Sequence, residues 1–304
     1  MLTIKFTHCR GQIKMAPSAP TLQCRQIEER DLGAVVSLLA HGFRTRGEKF
    51  WRDAFAQLRR HATPEGLPKY GYLLESGGRA VGVVLMICSL VPTGGKDVRR
   101  CNLSSWYVDP AFRAYAPLLV SQALRHKDVT YVNVSPPPHT RPIIEAQGFS
   151  RYCEGILMAV PMLSAWSGGA KVTVFDGTRK PAVSFDPRDH EILLEHAELG
   201  CVSLWCAIAE RAYPFVFRRR FVRKIVPCAQ LIYCSDVADF VRFAGPIGRL
   251  LARRGLPFVI IDANAPVDGL LGWYSDGNMP KYFKGPQRPR LGDLAYTEYA
   301  LLAV

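Results

Sequence analysis

A chain of 304 residues is longer than one hydrophobic core usually supports, which predicts two domains of about 150 residues each. Its 48% hydrophobic and 21% charged residues exclude a disordered chain, and its longest apolar run, Ala80 to Pro92, is too short to span a membrane. A formal net charge of +13 favours an acidic partner: nucleic acid, an acidic carrier protein, a phosphorylated cofactor or an anionic surface.

The first 20 residues show no clear period and no apolar stretch of signal-peptide length. They predict a disordered tail, or a start placed ahead of the true one at Met15, and a cytoplasmic protein. Regularity begins with the alternating segment Gln23 to Glu28, after which Asp31 should cap a helix carrying Leu32, Val35, Val36, Leu39 and Phe43 on one face. A second helix, Glu48 to Ala62, has the stripe Trp51, Phe55 and Leu58. A hairpin follows: Tyr70 to Glu75, a turn at Ser76-Gly77-Gly78, and the strand Ala80 to Leu90. The strand Cys101 to Val108 stops at Asp109-Pro110, where a helix should begin and run to His126. The strand Val129 to Val134, a short helix from Pro142 to Gln147, and a strand from Phe149 to Val160 complete a β-α-α-β-β-β-α-β-α-β order.

The Gly-, Ser- and Lys-rich segment Met162 to Lys180 reads as a linker or short hairpin. Beyond it Asp186 or Asp189 caps a helix through His196, the strands Val202 to Ala207, Tyr213 to Arg218 and Ala229 to Cys234 follow, and a helix Asp236 to Arg254 precedes the strand Phe258 to Asp262. The two halves align: Arg113-Ala114-Tyr115-Ala116-Pro117-Leu118 over Arg242-Phe243-Ala244-Gly245-Pro246-Ile247, the strand VTYVNV (129–134) over PFVIID (257–262), and Ser150 to Gly155 over Pro280 to Gly285. The predicted organisation is a tail (1–20), a first domain (21–161), a linker (162–180) and a second domain (181–304).

The nine cysteines form no CxxC pair and lie mostly in apolar runs, so they read as reduced core residues, with no metal motif among them. Arg218, Arg219, Arg220, Arg223 and Lys224 crowd one segment, where interleaved Phe215, Phe217 and Phe221 suit contact with tRNA or another polyanion; the competing reading is an edge strand protected by charge.

From Cys24 to about Val160 the chain resembles the GNAT acetyltransferases, in its element order, in the hairpin of Glu75 to Val84, in the passage Trp106-Tyr107-Val108-Asp109-Pro110, and in the pair Gly148-Phe149. The resemblance implies an α/β (α+β) fold of two GNAT-like domains, each a mixed, mostly antiparallel twisted sheet flanked by helices. It implies acetyl-CoA or another acyl-CoA as donor, bound by Trp106, Tyr107, Val108, Arg113, Ala114, Tyr115, Ala116 and Leu118, and a small-molecule or carrier-bound acceptor in the groove between the halves. The family's phosphate pattern is Arg/Gln-x-x-Gly-x-Gly/Ala; Arg113 matches it, but the glycine positions fall on Ala116 and Leu118, and Pro117 has no N–H to offer an anion. The family's tyrosine acid falls on Ile144, its asparagine near Pro137, and the strand Cys101 to Val108 holds no base. That leaves water chains or Glu75, Asp109, His139, Tyr152 and Glu154 for proton transfer. Two other readings fit the same features: a Fem-type aminoacyltransferase drawing on aminoacyl-tRNA, and a binding module that has lost its chemistry.

Overall fold

The computed structural model describes residues 22–93, 96–165, 169–177, 183, 185–223 and 225–302; the tail expected over 1–20 lies outside them. The first alternating segment forms β1 (Leu22–Gln26), and the two amphipathic segments form α1 (Leu32–Gly42) and α2 (Glu48–Arg60). Trp51, Phe55 and Leu58 of α2 are buried as one stripe, each stabilising the fold by about 1.5–3 kcal/mol. Asp31 departs from expectation. Its carboxylate accepts from the Glu28 N–H (2.8 Å) and from Arg25, closing a 3-10 turn ahead of α1 instead of capping the helix.

The hairpin forms β2 (Gly71–Ser76) and β3 (Arg79–Thr93), with Gly77 and Gly78 at positive φ in the turn, and β4 (Lys96–Val108) follows. Cys88 and Cys101, expected as reduced thiols, face each other across β3 and β4 and form a disulfide in the core, because opposed positions of an antiparallel pair bring their Cβ atoms together. The helix expected from Pro110 to His126 is two pieces, a 3-10 turn Pro110–Tyr115 and α3 (Ala116–Ala123). Pro117 cannot donate to a preceding turn, so it takes the second position of a new helix, where no N–H is needed. β5 (Thr130–Asn133), α4 (Arg141–Ala146) and β6 (Ser150–Ala159) complete the first half.

Within the segment 162–180 lies β7 (Lys171–Val174). Then come α5 (Pro187–Glu198), whose cap Asp186 accepts the Arg188 N–H at 2.9 Å, β8 (Val202–Ile208), β9 (Arg211–Val222), β10 (Val226–Cys234), α6 (Val237–Arg253) and β11 (Phe258–Ala263). Two elements lie beyond those the sequence predicts, β12 (Gly272–Lys284) and α7 (Glu298–Leu301). Among the described residues no helix is long and apolar enough to cross a membrane.

All these strands join one 12-stranded sheet in the order β1-β2-β3-β4-β5-β12-β6-β11-β10-β9-β8-β7. Counted inward from each edge, the halves repeat one order, with parallel pairs β4·β5 and β10·β11 and antiparallel pairing elsewhere. At the centre the last strands are exchanged: β12 lies beside β5, and β6 beside β11. The exchange fuses the two expected sheets into one. Lys281 of β12 and Asp262 of β11, 0% and 3% exposed, form an ion pair at 2.7 Å across β6. Alternate residues of β3 face opposite sides: Val83, Leu85 and Ile87 join a core with α1, α2, α5 and α7, while Val84, Met86 and Cys88 pack with α3 and α4. α6 covers the second half's strands through a third cluster.

After β12 the chain becomes a strap. The Gln287 N–H donates to Thr130 Oγ1 (3.1 Å), and Asp293 bridges Tyr233 at the end of β10. Arg100 of β4 holds the Asp293 carboxylate (3.0 Å) and the Ala295 carbonyl (2.6 Å). His196 of α5 donates from Nδ1 to the Ile192 carbonyl (2.8 Å), so its Nε2 is free to accept the Tyr296 N–H (3.2 Å). Asn102 Oδ1 accepts the Glu298 N–H at 2.7 Å, and the Tyr299 hydroxyl donates to the Val134 carbonyl.

Lys281→Met leaves Asp262 buried without its counter-charge and should cost about 3–5 kcal/mol, while Lys281→Met with Asp262→Leu should recover most of it. Urea midpoints check this; a loss under about 1 kcal/mol in the single variant contradicts it. Burial lowers His196 to about 4, below its ordinary range near 6.5. Between those values the unfolded chain binds a proton that the folded chain does not, so stability is lost as pH falls through that window. His196→Asn should flatten the slope of midpoint against pH from 7 to 5.

Candidate active site

β4 and β5 pair only over Arg100–Asn102 and Thr130–Val132, and then part. Asn102 sits at the point of divergence, where its Nδ2 donates to the Leu103 carbonyl (3.0 Å) and, across the gap, to the Val132 carbonyl (3.4 Å). Just beyond, β4 carries a bulge: Leu85 faces Ser104 but Val83 faces Tyr107, with Ser105 at φ 46°. Past Asn102, therefore, the β5-side edge of β4 has no strand along it.

A cavity of about 460 Å³ fills this opening. Ser104, Ser105, Trp106 and Tyr107 line it from β4, Val120 and Ala123 from α3, Ile144 and Gln147 from α4 and the residue after it, and Gly42 and Phe43 from the end of α1. A Cβ at Gly42 would stand 2.4 Å from the Tyr107 ring, so only glycine lets α1 close on that wall. Trp106 lines the cavity with its ring, and its indole N–H is buried with no partner among the described residues.

Glu298 closes the floor. It is 4% exposed, and its two carboxylate oxygens accept from the Ser104 and Ser135 hydroxyls, one on each side of the parting strands. Burial pushes its carboxyl above the ordinary range, opposed by the two serine hydroxyls and by the charges of Arg46 and Arg220. A buried carboxylate with a raised pKa, at the bottom of a cleft, can take a proton from a bound nucleophile.

The structure brings some of the expected residues together and leaves others apart. Trp106 and Tyr107 line the cavity, whereas Val108 packs into the core beneath α3. Arg113, Ala114 and Tyr115 stand exposed on the 3-10 turn, and Ala116 and Leu118 open α3, where the Ala116 N–H already donates to the Arg113 carbonyl. Of the proton-transfer candidates His139 lines the cavity. Asp109 accepts from the Tyr107 hydroxyl (3.3 Å), Glu75 is paired with Arg25 at the sheet's edge, Glu154 with Arg151 on the surface, and Tyr152 is buried in the sheet's centre. Ile144, in the position of the family's tyrosine, lines the cavity with an apolar side chain. Sequence reasoning missed Glu298; its signal was a lone acid within the largely apolar run from Tyr296 to Val304.

The second half repeats the geometry with a different outcome. Gln230 stands where β10 and β11 part, and its Nε2 contacts the Leu231 and Ile260 carbonyls as Asn102 contacts Leu103 and Val132. That opening is filled by the strap: the Leu294 N–H donates to the Ile232 carbonyl (2.7 Å), and the Cys234 N–H to the Gly292 carbonyl (2.9 Å). Arg242 to Ile247 lie inside α6, not at its first turn, because Asp236 caps that helix at the Ala238 N–H. Chain segment 161–165 packs so closely there that a Cβ at Gly245 would stand 2.4 Å from the Ala165 carbonyl oxygen.

The basic segment is not an edge strand, since β9 lies between β8 and β10. Arg218 donates to the Leu199 carbonyl at the end of α5, and Arg219 to the Arg254 carbonyl (3.0 Å) at the end of α6, both favourable sites for a cation. Arg220 turns inward to Gln230 (3.4 Å), and Lys224 lies outside the described residues.

No protein-family model matches the chain, and no curated protein does. Solved structures do. A GCN5-related N-acetyltransferase from Anabaena variabilis is 10% identical with a TM-score of 0.57, over 86% of this chain and 72% of that one. One from Kribbella flavida is 13% identical (TM-score 0.54, 87% and 71%). A putative acetyltransferase from Pyrococcus horikoshii is 12% identical (TM-score 0.52), over 96% of this chain and 99% of that one. With identities this low the likeness is one of architecture, and the chain has the fold of the GCN5-related N-acetyltransferases.

Proposed function

We propose that the protein is an acyltransferase moving an acyl group from acyl-CoA to an amine, in the cleft of the first half and in the cytoplasm. The observation that carries this reading is Glu298, a buried carboxylate held by one hydroxyl from each side of the opening between β4 and β5. The cleft fits the thioester arm of such a donor: the free edge of β4 offers backbone groups for strand-like pairing. The nucleotide end fits by charge more than by backbone. Pro117 has no N–H and that of Ala116 is spent, so exposed Arg113 is the group facing the phosphates.

In the reaction the amine nitrogen attacks the thioester carbonyl carbon, and its proton passes to the Glu298 carboxylate. The N–C bond forms and the C–S bond breaks, its electron pair leaving with the thiolate, which takes a proton from solvent water at the exposed mouth beside His139, and Glu298 returns its proton to solvent before the next turnover. Backbone N–H groups on the bulged edge of β4 face the oxygen on which negative charge builds.

Glu298→Gln should lower kcat by about 10²–10⁴-fold while leaving acyl-CoA affinity within about twofold. In the wild type, kcat/KM should rise with pH through the raised Glu298 pKa, and this limb should vanish in the variant. The linkage runs the opposite way for folding: the folded state binds that proton more tightly, so wild-type stability falls as pH rises from the ordinary carboxyl range through the raised value. A kcat within about threefold of wild type would remove Glu298 from the chemistry. A thermal-shift titration should show acyl-CoA stabilising the protein, by about 2.7 kcal/mol at a hundred times its Kd. Arg113→Glu should lose this, and Arg242→Glu should keep it.

A further inference from the structure

Two arginines from opposite halves converge on Glu298. Arg46 lies in the loop between α1 and α2 with its guanidinium 4.4 Å over the Phe50 ring, and Arg220 reaches in from β9, 4.9 Å over the Tyr299 ring. Both lie within electrostatic reach of the Glu298 carboxylate and of one another. Arg46 is half-buried, and among the described residues its guanidinium makes no hydrogen bond or ion pair; Arg220 has one weak hydrogen bond, to Gln230 (3.4 Å).

The charges do not balance. Both Glu298 oxygens are engaged by serine hydroxyls, and Asp262, the other carboxylate within reach of Arg220, is already matched by Lys281, so two guanidiniums that repel each other share one carboxylate bonded elsewhere and this partly desolvated spot keeps a net charge of about +1. The guanidinium fork matches the oxygens of a carboxylate or phosphate. Both arginines approach on the side of α1, α2 and α7, away from the α3 and α4 side. A cationic or neutral amine alone would leave this site's excess charge unmet, whereas an amine bearing an anionic group would cancel it while placing its nitrogen beside Glu298.

We propose that the acceptor carries a carboxylate or phosphate next to its amine, and that Arg46 and Arg220 bind this anion so that the nitrogen faces Glu298. The inference rests on the acyl-transfer reading above. Arg46 is the selectivity residue and Arg220 orients the same group from the other half. Neither arginine takes part in the proton transfer.

The test is a titration of the whole protein, followed by calorimetry and thermal shift, with glycine, phosphoethanolamine and ethanolamine as probes, in wild type, Arg46→Gln and Arg220→Gln. Glycine or phosphoethanolamine should bind, whichever is tighter identifying the anion as carboxylate or phosphate, and ethanolamine should bind at least about tenfold more weakly. Arg46→Gln should weaken the anionic probe by about tenfold or more and leave ethanolamine and acyl-CoA within about twofold. Where transfer is measured, the KM for an anionic amine should rise in Arg46→Gln, and the acid limb of the pH profile should persist at a higher pH, because Arg46 no longer opposes the rise at Glu298. Equal binding of ethanolamine, no binding of either anionic probe at tens of millimolar, or equal losses for charged and uncharged amines would each overturn the inference. The last result would mean the arginines only tune Glu298. Transfer to uncharged amines alone would refute this inference and keep the acyltransferase; loss of acyl-CoA binding would refute the acyltransferase itself.

Discussion

The exchange of β6 and β12 at the centre of the sheet is the constraint from which the rest follows. Each half supplies the strand that completes the other, so neither sheet closes on its own. The buried Lys281–Asp262 pair sits at this crossing, where a slip of register would strand two charges in the core. Because β12 runs antiparallel to β5 and ends beside its first residues, the chain that follows it emerges against the first half at Thr130 and turns back toward both openings.

That route explains why two halves with one strand order have unlike clefts. Asn102 and Gln230 occupy matching places, each bridging two parting parallel strands through a side-chain amide. The strap first lies against the end of β10 and fills the second opening, then continues along β4 and delivers Glu298 to the first. One segment of about fifteen residues both closes one site and equips the other. Its anchors, Arg100 on Asp293 and His196 under Tyr296, come from the two different halves, so the geometry of Glu298 depends on their docking.

Most strands and helices through β11 were legible because their periods are strong: the alternation of β1, the Trp51-Phe55-Leu58 stripe, the turn glycines after β2. The pairing of 129–134 with 257–262 was legible too, and Val132 and Ile260 stand at the equivalent last rungs of their parallel ladders. β12 was missed because Gly272, Gly277 and Pro280 interrupt its alternation, and its pairing across β6 and β5 makes good what local propensity lacks. That Arg218 and Arg219 each meet the carbonyl end of a helix was not legible, since nothing local shows that two helix ends lie in front of them.

By itself the sequence determined the local periods, the internal repeat, the place where β4 gives way to a turn at Asp109-Pro110, and the aromatic wall at Trp106 and Tyr107, since all of these are written in neighbouring residues. Only the tertiary structure decided which strand completes which half, which opening stays open, and that a carboxylate 194 positions along the chain from Ser104 is its partner. Those outcomes depend on burial and on pairings between distant segments. Burial is also what turns Glu298 from one acid among 26 Asp and Glu residues into a candidate base.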